Sequence, residues 1–171
     1  MIERIKRYYF EKLIKDKGIT KKTGLNTANK IAFIAQDLAD GQIDAINRYI
    51  DRLRKRNKEV FTLFFSTEKK KKTNERSPNY IYKSDVKWYG VPVHETLEEF
   101  LKREYDILFF LDDASLLPME FLLRMTKAHL KISPYHRGIE RFIDISVDCK
   151  NHDKAGQLDE IDKLLDKLSN G

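Results

Sequence analysis

Three apolar runs of strand length, residues 30–36 (KIAFIAQ), 60–65 (VFTLFF) and 106–111 (DILFFL), alternate with stretches of helical apolar spacing. This alternation constrains the fold more than any other feature of the chain. A strand solvated on one face alternates apolar and polar residues, whereas an unbroken apolar run marks a strand covered on both faces. Strands of that kind separated by helices predict a mostly parallel sheet between helical layers. The 171 residues fit one such domain, with 41% hydrophobic residues to fill its core and 35% charged residues to keep it in water. The expected fold class is α/β: a three-layer, Rossmann-like or flavodoxin-like open sheet of about five strands, preceded by a basic amphipathic N-terminal helix.

Element by element, residues 2–17 carry Ile2, Ile5, Tyr9 and Leu13 at helical intervals, with Tyr8, Phe10 and Ile14 beside them, and Gly18 suits a C-cap. Residues 1–26 therefore read as helix and connector, and 27–171 as a single α/β domain. After the first strand, Asp40 suits an N-cap for a helix with Ile43, Ile46, Tyr49, Ile50 and Leu53 on its stripe, and Asn57 suits its end. That helix joins the strands at 30–36 and 60–65 into a β-α-β unit. Residues 66–79 have almost nothing to bury and predict a mobile basic loop. Tyr80 to Tyr82 suit a short strand, and residues 85–92 contain a Gly and Pro turn in which Trp88 is expected to pack on the domain surface. Thr96 and Glu99 fit a capping box, followed by a stripe of Leu97, Phe100, Leu101 and Tyr105. Pro118 suits the first turn of a helix in which Phe121, Leu122, Met125 and Ala128 or His129 face inward. A fourth strand is expected at 130–133, a fifth, alternating one at 142–147, and a terminal helix on Leu158, Ile161, Leu164, Leu165 and Leu168.

The net charge of +6 is unevenly spread. Residues 1–30 carry +6 and residues 52–76 carry +7, while residues 31–51 and 77–171 carry −3 and −4. Two basic blocks on a slightly acidic body predict attraction to polyanions, although either block alone also serves solubility. The candidate contacts are Arg4, Lys6, Arg7, Lys12, Lys15, Lys21 and Lys22 in the first block, and Arg54, Lys55, Arg56, Lys69, Lys70, Lys71, Lys72 and Arg76 in the second.

In an open α/β sheet, ligands sit beyond the carboxyl ends of the strands. The loop after the first strand holds one glycine where a dinucleotide fingerprint needs three, and it lacks a Walker lysine, so ordinary NAD and P-loop binding are not expected. Asp37, Asp112, Asp113 and Ser115 offer oxygen ligands but read first as helix caps. The turn with Tyr135, His136 and Arg137 combines an aromatic ring, an imidazole and a guanidinium, a mixture that stacks on bases and contacts phosphate. The four histidines lack metal-ligand spacing, no serine sits in a nucleophile elbow, and Cys149 reads as an inert thiol, although Lys150 and His152 beside it favour a lowered pKa. No cofactor and no metal are expected, and the pattern carries no catalytic signature.

The segment Asp85-Val-Lys-Trp88-Tyr89-Gly90-Val-Pro92, with the run 31–35, the helix ending in Arg-Lys-Arg, the run 106–111 and the residues 121–131 and 142–145, resembles a family of short bacterial proteins known only as a domain of unknown function. The resemblance covers most of residues 1–168. It implies a soluble, cytoplasmic, Rossmann-like domain and supplies no catalytic residues. A basic start without a continuous apolar stretch behind it likewise predicts the cytoplasm, and no run reaches the length of a membrane span. The leading expectation is a non-catalytic module that binds RNA or a ribonucleoprotein through its basic segments. A small-ligand or nucleotide-binding enzyme at the sheet's carboxyl edge and a scaffold for a protein partner are the alternatives, and peripheral contact with anionic membrane is compatible with the basic helix.

Overall fold

The computed structural model describes residues 1–14, 24–37, 41–68, 79–112 and 115–169. Its elements in chain order are α1 (Ile2–Leu13), β1 (Lys30–Gln36), α2 (Gln42–Lys55), β2 (Glu59–Ser66), β3 (Tyr80–Tyr82), α3 (Glu95–Lys102), β4 (Glu104–Phe110), α4 (Leu117–Met125), β5 (Lys127–Pro134), β6 (Ile145–Val147) and α5 (Lys154–Ser169). The six strands form one sheet in the order β3-β2-β1-β4-β5-β6, and every pairing is parallel. This is the doubly wound Rossmann order, which reverses direction between β1 and β4. The sheet has six strands where about five were expected, because both short edge segments, β3 and β6, pair.

The two central strands explain the layering. Along β1, Ile31, Phe33 and Ala35 point to one face while Ala32 and Ile34 point to the other, and β4 with the residue after it divides Ile107, Phe109 and Leu111 from Leu108 and Phe110 in the same way. One face is covered by α2 (Ile46, Tyr49, Ile50, Leu53) and α5 (Leu158, Ile161, Leu165). The other is covered by α1 (Phe10) with Ile14 just past its end, α3 (Leu97, Phe100) and α4 (Met119, Phe121, Leu122, Leu123). Thus the N-terminal helix contributes to the core as well as to the surface. Among the described residues no helix is long and apolar enough to cross a membrane.

Several boundaries depart from the sequence pattern for local reasons. Tyr105 lies on β4 rather than on the preceding helix, and its hydroxyl donates to the Phe100 carbonyl at the end of α3 (2.9 Å). Ala128 and His129 lie on β5: α4 stops at Met125, Thr126 turns extended, and Lys131 Nζ donates to the Leu123 carbonyl (2.7 Å), satisfying a group the helix end leaves open. His129 Nε2 meets Glu104 across the strands at 2.6 Å. The last strand is only Ile145–Val147, with a 3₁₀ turn at Glu140–Phe142 ahead of it. His94, not Thr96, caps α3, its Nδ1 accepting from the Thr96 N–H (3.2 Å). Asn57 ends α2 in the left-handed region (φ 59°), as its position suggests. The cap expected at Asp40 and the C-cap expected at Gly18 lie outside the described residues; α1 is described to Leu13 and α2 follows Gly41.

Candidate functional site

Helix α1 has two working faces. Its inner face buries Phe10 edge-on against Phe121 of α4, with ring centroids 6.4 Å apart. Around that contact runs a network of four charges: Arg7 Nη1 to Glu120 Oε2 (2.5 Å), Arg7 Nε to Glu11 (3.4 Å), Arg124 Nη1 to Glu11 (3.0 Å) and Arg124 Nη1 to Glu120 (3.1 Å). Glu120 and Arg124 are buried in α4, where an unpaired charge would be costly, so α1 supplies part of what keeps them satisfied. The Arg124 guanidinium also lies 4.6 Å from the Phe142 ring centroid.

The outer face is left largely exposed. Residues four apart on a helix stand above one another. Arg4, Tyr8 and Lys12 therefore form one exposed stripe, and Ile5, Tyr9 and Leu13 form the next. Tyr8 is 64% exposed. Tyr9 meets Trp88 edge-on at 5.6 Å, and Tyr8 meets Tyr9 at 5.7 Å.

Trp88 stands at the tip of a tight turn, where it packs edge-on against Tyr9 and Tyr89 on the domain surface but stays 61% exposed, more than the burial expected of a lone tryptophan. The turn is built by its own backbone. Gly90 N–H donates to the Lys87 carbonyl (2.8 Å), Lys87 N–H donates to the Val91 carbonyl (2.9 Å), and Val86 bridges Pro92. Gly90 has φ 92°, and a Cβ there would lie 2.5 Å from Leu117 Cβ, so glycine is needed for conformation and for space. The Trp-Tyr-Gly-x-Pro pattern is thus a device that holds Trp88 out beside α1.

The second basic block is placed elsewhere. Arg54, Lys55 and Arg56 end α2, which covers the opposite face of the sheet from α1. Arg54 faces Asp51 (3.6 Å), and Arg52, in the same last turn, faces Asp159 of α5 (3.5 Å). Lys15, Lys21 and Lys22, and the expected loop cations Lys69, Lys70, Lys71, Lys72 and Arg76, lie outside the described residues. Of the first block's candidate contacts, Arg4, Lys6, Arg7 and Lys12 are described, all on α1.

At the carboxyl edge, Asp112 accepts from the Gln36 N–H (3.0 Å) and lies 3.8 Å from Lys154 Nζ, and that amine also donates to the Leu111 carbonyl. The point where the strand order reverses is thus occupied by a buried Asp-Lys pair from the chain itself. Lys154 was not read as functional from sequence, although it begins the stripe that continues as Leu158, Ile161 and Leu165, where a buried cation needs a partner. Asp37 lies near Tyr80, whose phenol is pushed up to about 12 by burial and then by the Asp37 carboxylate. Among the described residues no group of three or more His, Cys, Asp or Glu can hold a metal ion; Asp113 lies outside them.

The remaining edge candidates do meet. Ser115, His136 and Arg137 line a cleft of about 310 Å³ together with Arg7, Glu120, Gly138 and Ile139. Tyr135 projects from the same turn, and Gly138 (φ 98°) donates its N–H to Glu140 Oε2 (2.7 Å), closing it. The Cys149 thiol is pushed up to about 11 by burial, then by Glu160 and Asp148, in keeping with the inert thiol expected; Lys150 and His152 beside it do not lower it.

The topology and the unfilled dinucleotide fingerprint define a Rossmann-like α/β protein without the phosphate loop of the nucleotide-binding members. More particularly, the chain belongs to a family of unknown function, DUF6913, whose profile matches residues 3–168. No curated protein matches it.

Proposed function

We propose that this protein is a cytoplasmic, non-catalytic module that binds a polyanionic partner, RNA or a ribonucleoprotein, through the outer face of α1 and the Trp88 turn. The observation that carries this reading is the exposed Arg4, Tyr8 and Lys12 stripe lying beside the Tyr9 and Trp88 rings. Cations at helical spacing suit phosphates, and exposed rings beside them suit unstacked bases, the combination that single-stranded nucleic acid requires. An aromatic patch of this kind is seldom left in water without use. The reading centres on α1 and the Trp88 turn, because Arg54, Lys55 and Arg56 stand at the end of α2, a helix packed on the other face of the sheet.

Fluorescence anisotropy with a labelled mixed-sequence RNA at two salt concentrations tests it. Micromolar binding that weakens as salt rises is expected, together with a loss of about 1–3 kcal/mol for Tyr8→Ala. Binding that is absent, or indifferent to salt, overturns the proposal. Anionic liposomes run alongside distinguish a lipid surface: sedimentation with liposomes but no RNA affinity replaces RNA by membrane as the partner.

A further inference from the structure

Strand β2 runs for 8 residues, but β3 covers only its end: the ladder joins Phe64, Phe65 and Ser66 to Tyr80, Ile81 and Tyr82. Along a parallel strand, the backbone groups of successive residues point alternately to its two neighbours. Glu59 donates its N–H to the Asn29 carbonyl (2.8 Å) and the Phe65 carbonyl accepts from Asp37 (2.9 Å), so the odd-numbered residues of β2 face β1. Phe64 donates its N–H to the Asn79 carbonyl (2.8 Å), so the even-numbered ones face β3. Val60 and Thr62 therefore turn their N–H and C=O groups toward the place where a longer β3 would lie, and among the described residues none bonds those groups. This edge opens into a cleft of about 230 Å³ between α2 and α3. Strand β2 also carries none of the lysine or proline that commonly guards an open strand.

We propose that this open half of the β2 edge receives an extended peptide segment of a partner protein, with acidic, apolar and acidic side chains in succession. Main-chain hydrogen bonds supply the affinity of an added strand, and the pockets for its alternate side chains supply the choice of partner. Asn79 closes one end of the space: its carbonyl is taken by Phe64 and its side-chain amide donates to Thr62 Oγ1 (2.7 Å). The added strand therefore pairs opposite Val60, Phe61 and Thr62 alone. Side chains directly opposite one another share a face of the sheet. The central peptide side chain thus falls on the α3 side beside Phe61 and Phe100, and the outer two fall on the α2 side beside Arg54. On the α3 wall, Arg103 lies over the Phe61 ring (4.7 Å) and Glu99 offsets its charge, so that wall suits an apolar group. Arg54 is the charged lining residue of the α2 wall, and its contact with Asp51 is exposed on both sides and gives way at little cost. Carboxylates are the complement of that wall.

Fluorescence anisotropy of the full chain with a labelled, end-blocked Ser-Glu-Val-Glu-Ser peptide tests this, beside Ser-Lys-Val-Lys-Ser and a form of the first peptide N-methylated at its central residues. The first should bind, the lysine peptide should bind about fivefold more weakly or less, and the N-methylated form, which cannot donate to the edge, should not bind. Arg54→Glu should reverse the order of the two charged peptides, a swap that loss of structure cannot produce. Amide hydrogen exchange followed by NMR should find the Val60 and Thr62 N–H groups open in the free chain and protected by the peptide. Glu59 and Phe61, already bonded on the β1 side, should be unchanged. The proposal is overturned if no peptide binds, if N-methylation leaves binding intact, or if Arg54→Glu does not reverse the order. It is equally overturned if both amides are protected in the free chain, because the chain itself or a second copy then fills the edge. The site does not depend on the RNA reading: Tyr8→Ala should weaken RNA and leave peptide affinity intact, so the two proposals fail separately.

Discussion

On the face covered by α2 and α5, Phe33 and Phe109 of adjacent strands stack at 4.7 Å, and Tyr49 packs edge-on against both. The Tyr49 hydroxyl is spent on Asp162 of α5 (2.7 Å), and burial followed by that carboxylate pushes its pKa far up. On the opposite face, α1 is fixed to α4 by one aromatic contact and four charges, and it leaves Tyr8, Tyr9 and Trp88 in water. One side is closed by its packing, and its substitutions should register as lost stability alone. The other combines a costly polar network with uncovered rings, and there the effects on stability and on binding should separate.

Substitution can break that contrast or sharpen it. The largest stability losses are expected from Phe109→Ala on the closed face and Arg124→Ala on the open one, each about 3–5 kcal/mol in urea unfolding. The first opens a cavity in the stack, and the second breaks the buried network, leaving Glu120 with the half-exposed Arg7 as its ion-pair partner. If Arg124→Ala costs no more than a surface substitution, the network does not hold α1. Gly90→Ala comes next, at about 1–3 kcal/mol, because its Cβ meets Leu117 in a turn that requires positive φ; the Trp88 emission maximum should move with it. Tyr8→Ala should change stability by less than about 0.5 kcal/mol, the size expected of an exposed site, while weakening RNA binding.

The smallest effect is electrostatic and lies at the amino edge of the sheet. Burial works to raise the Asp106 pKa, but the Lys30 and Asn29 N–H groups, bonded at 2.9 and 2.7 Å, bring it below the ordinary carboxylate value. A carboxylate depressed in the folded state contributes stability above its unfolded pKa of about 4, and that contribution fades as pH falls toward the folded value. Asp106→Asn should flatten this part of the acid limb in pH-dependent melting. An unchanged limb would show that the carboxylate's charge adds nothing to the join between β1 and β4.

The central strands were legible because both of their faces are covered: the runs at 30–36, 60–65 and 106–111 contain little that a solvent-facing strand would need. The α2 stripe was legible for the same reason, and Ile46, Tyr49, Ile50 and Leu53 are all buried. What periodicity could not reveal was the point where a helix passes directly into a strand. Tyr105 continues the spacing of α3 and packs on Phe100 at 5.0 Å although it stands on β4, and Ala128 is buried whether helix or strand carries it. At the candidate site, Arg4, Arg7 and Lys12 and the turn of His136 and Arg137 could be picked out by residue type. That Arg7 would meet His136 and Arg137 in one cleft could not, because the approach depends on α1 folding back over α4. Trp88 packs against Tyr9 and Tyr89 yet is more exposed than tryptophan usually is, because a turn of four residues carries it. Lys154 escaped notice because a cation at the end of an apolar stripe reads as solvated unless its partner, here Asp112, is known.

The central claim is that the rings beside α1 receive bases, and Trp88 is the chain's single tryptophan, so its emission reports on that surface alone. Titrating mixed-sequence RNA while following this emission should give saturable quenching, and the fitted affinity should fall as salt rises, with a log-log slope of about −0.7 for each phosphate contacted. Tryptophan emission that stays constant while RNA binds, or an affinity that salt does not change, would contradict the account.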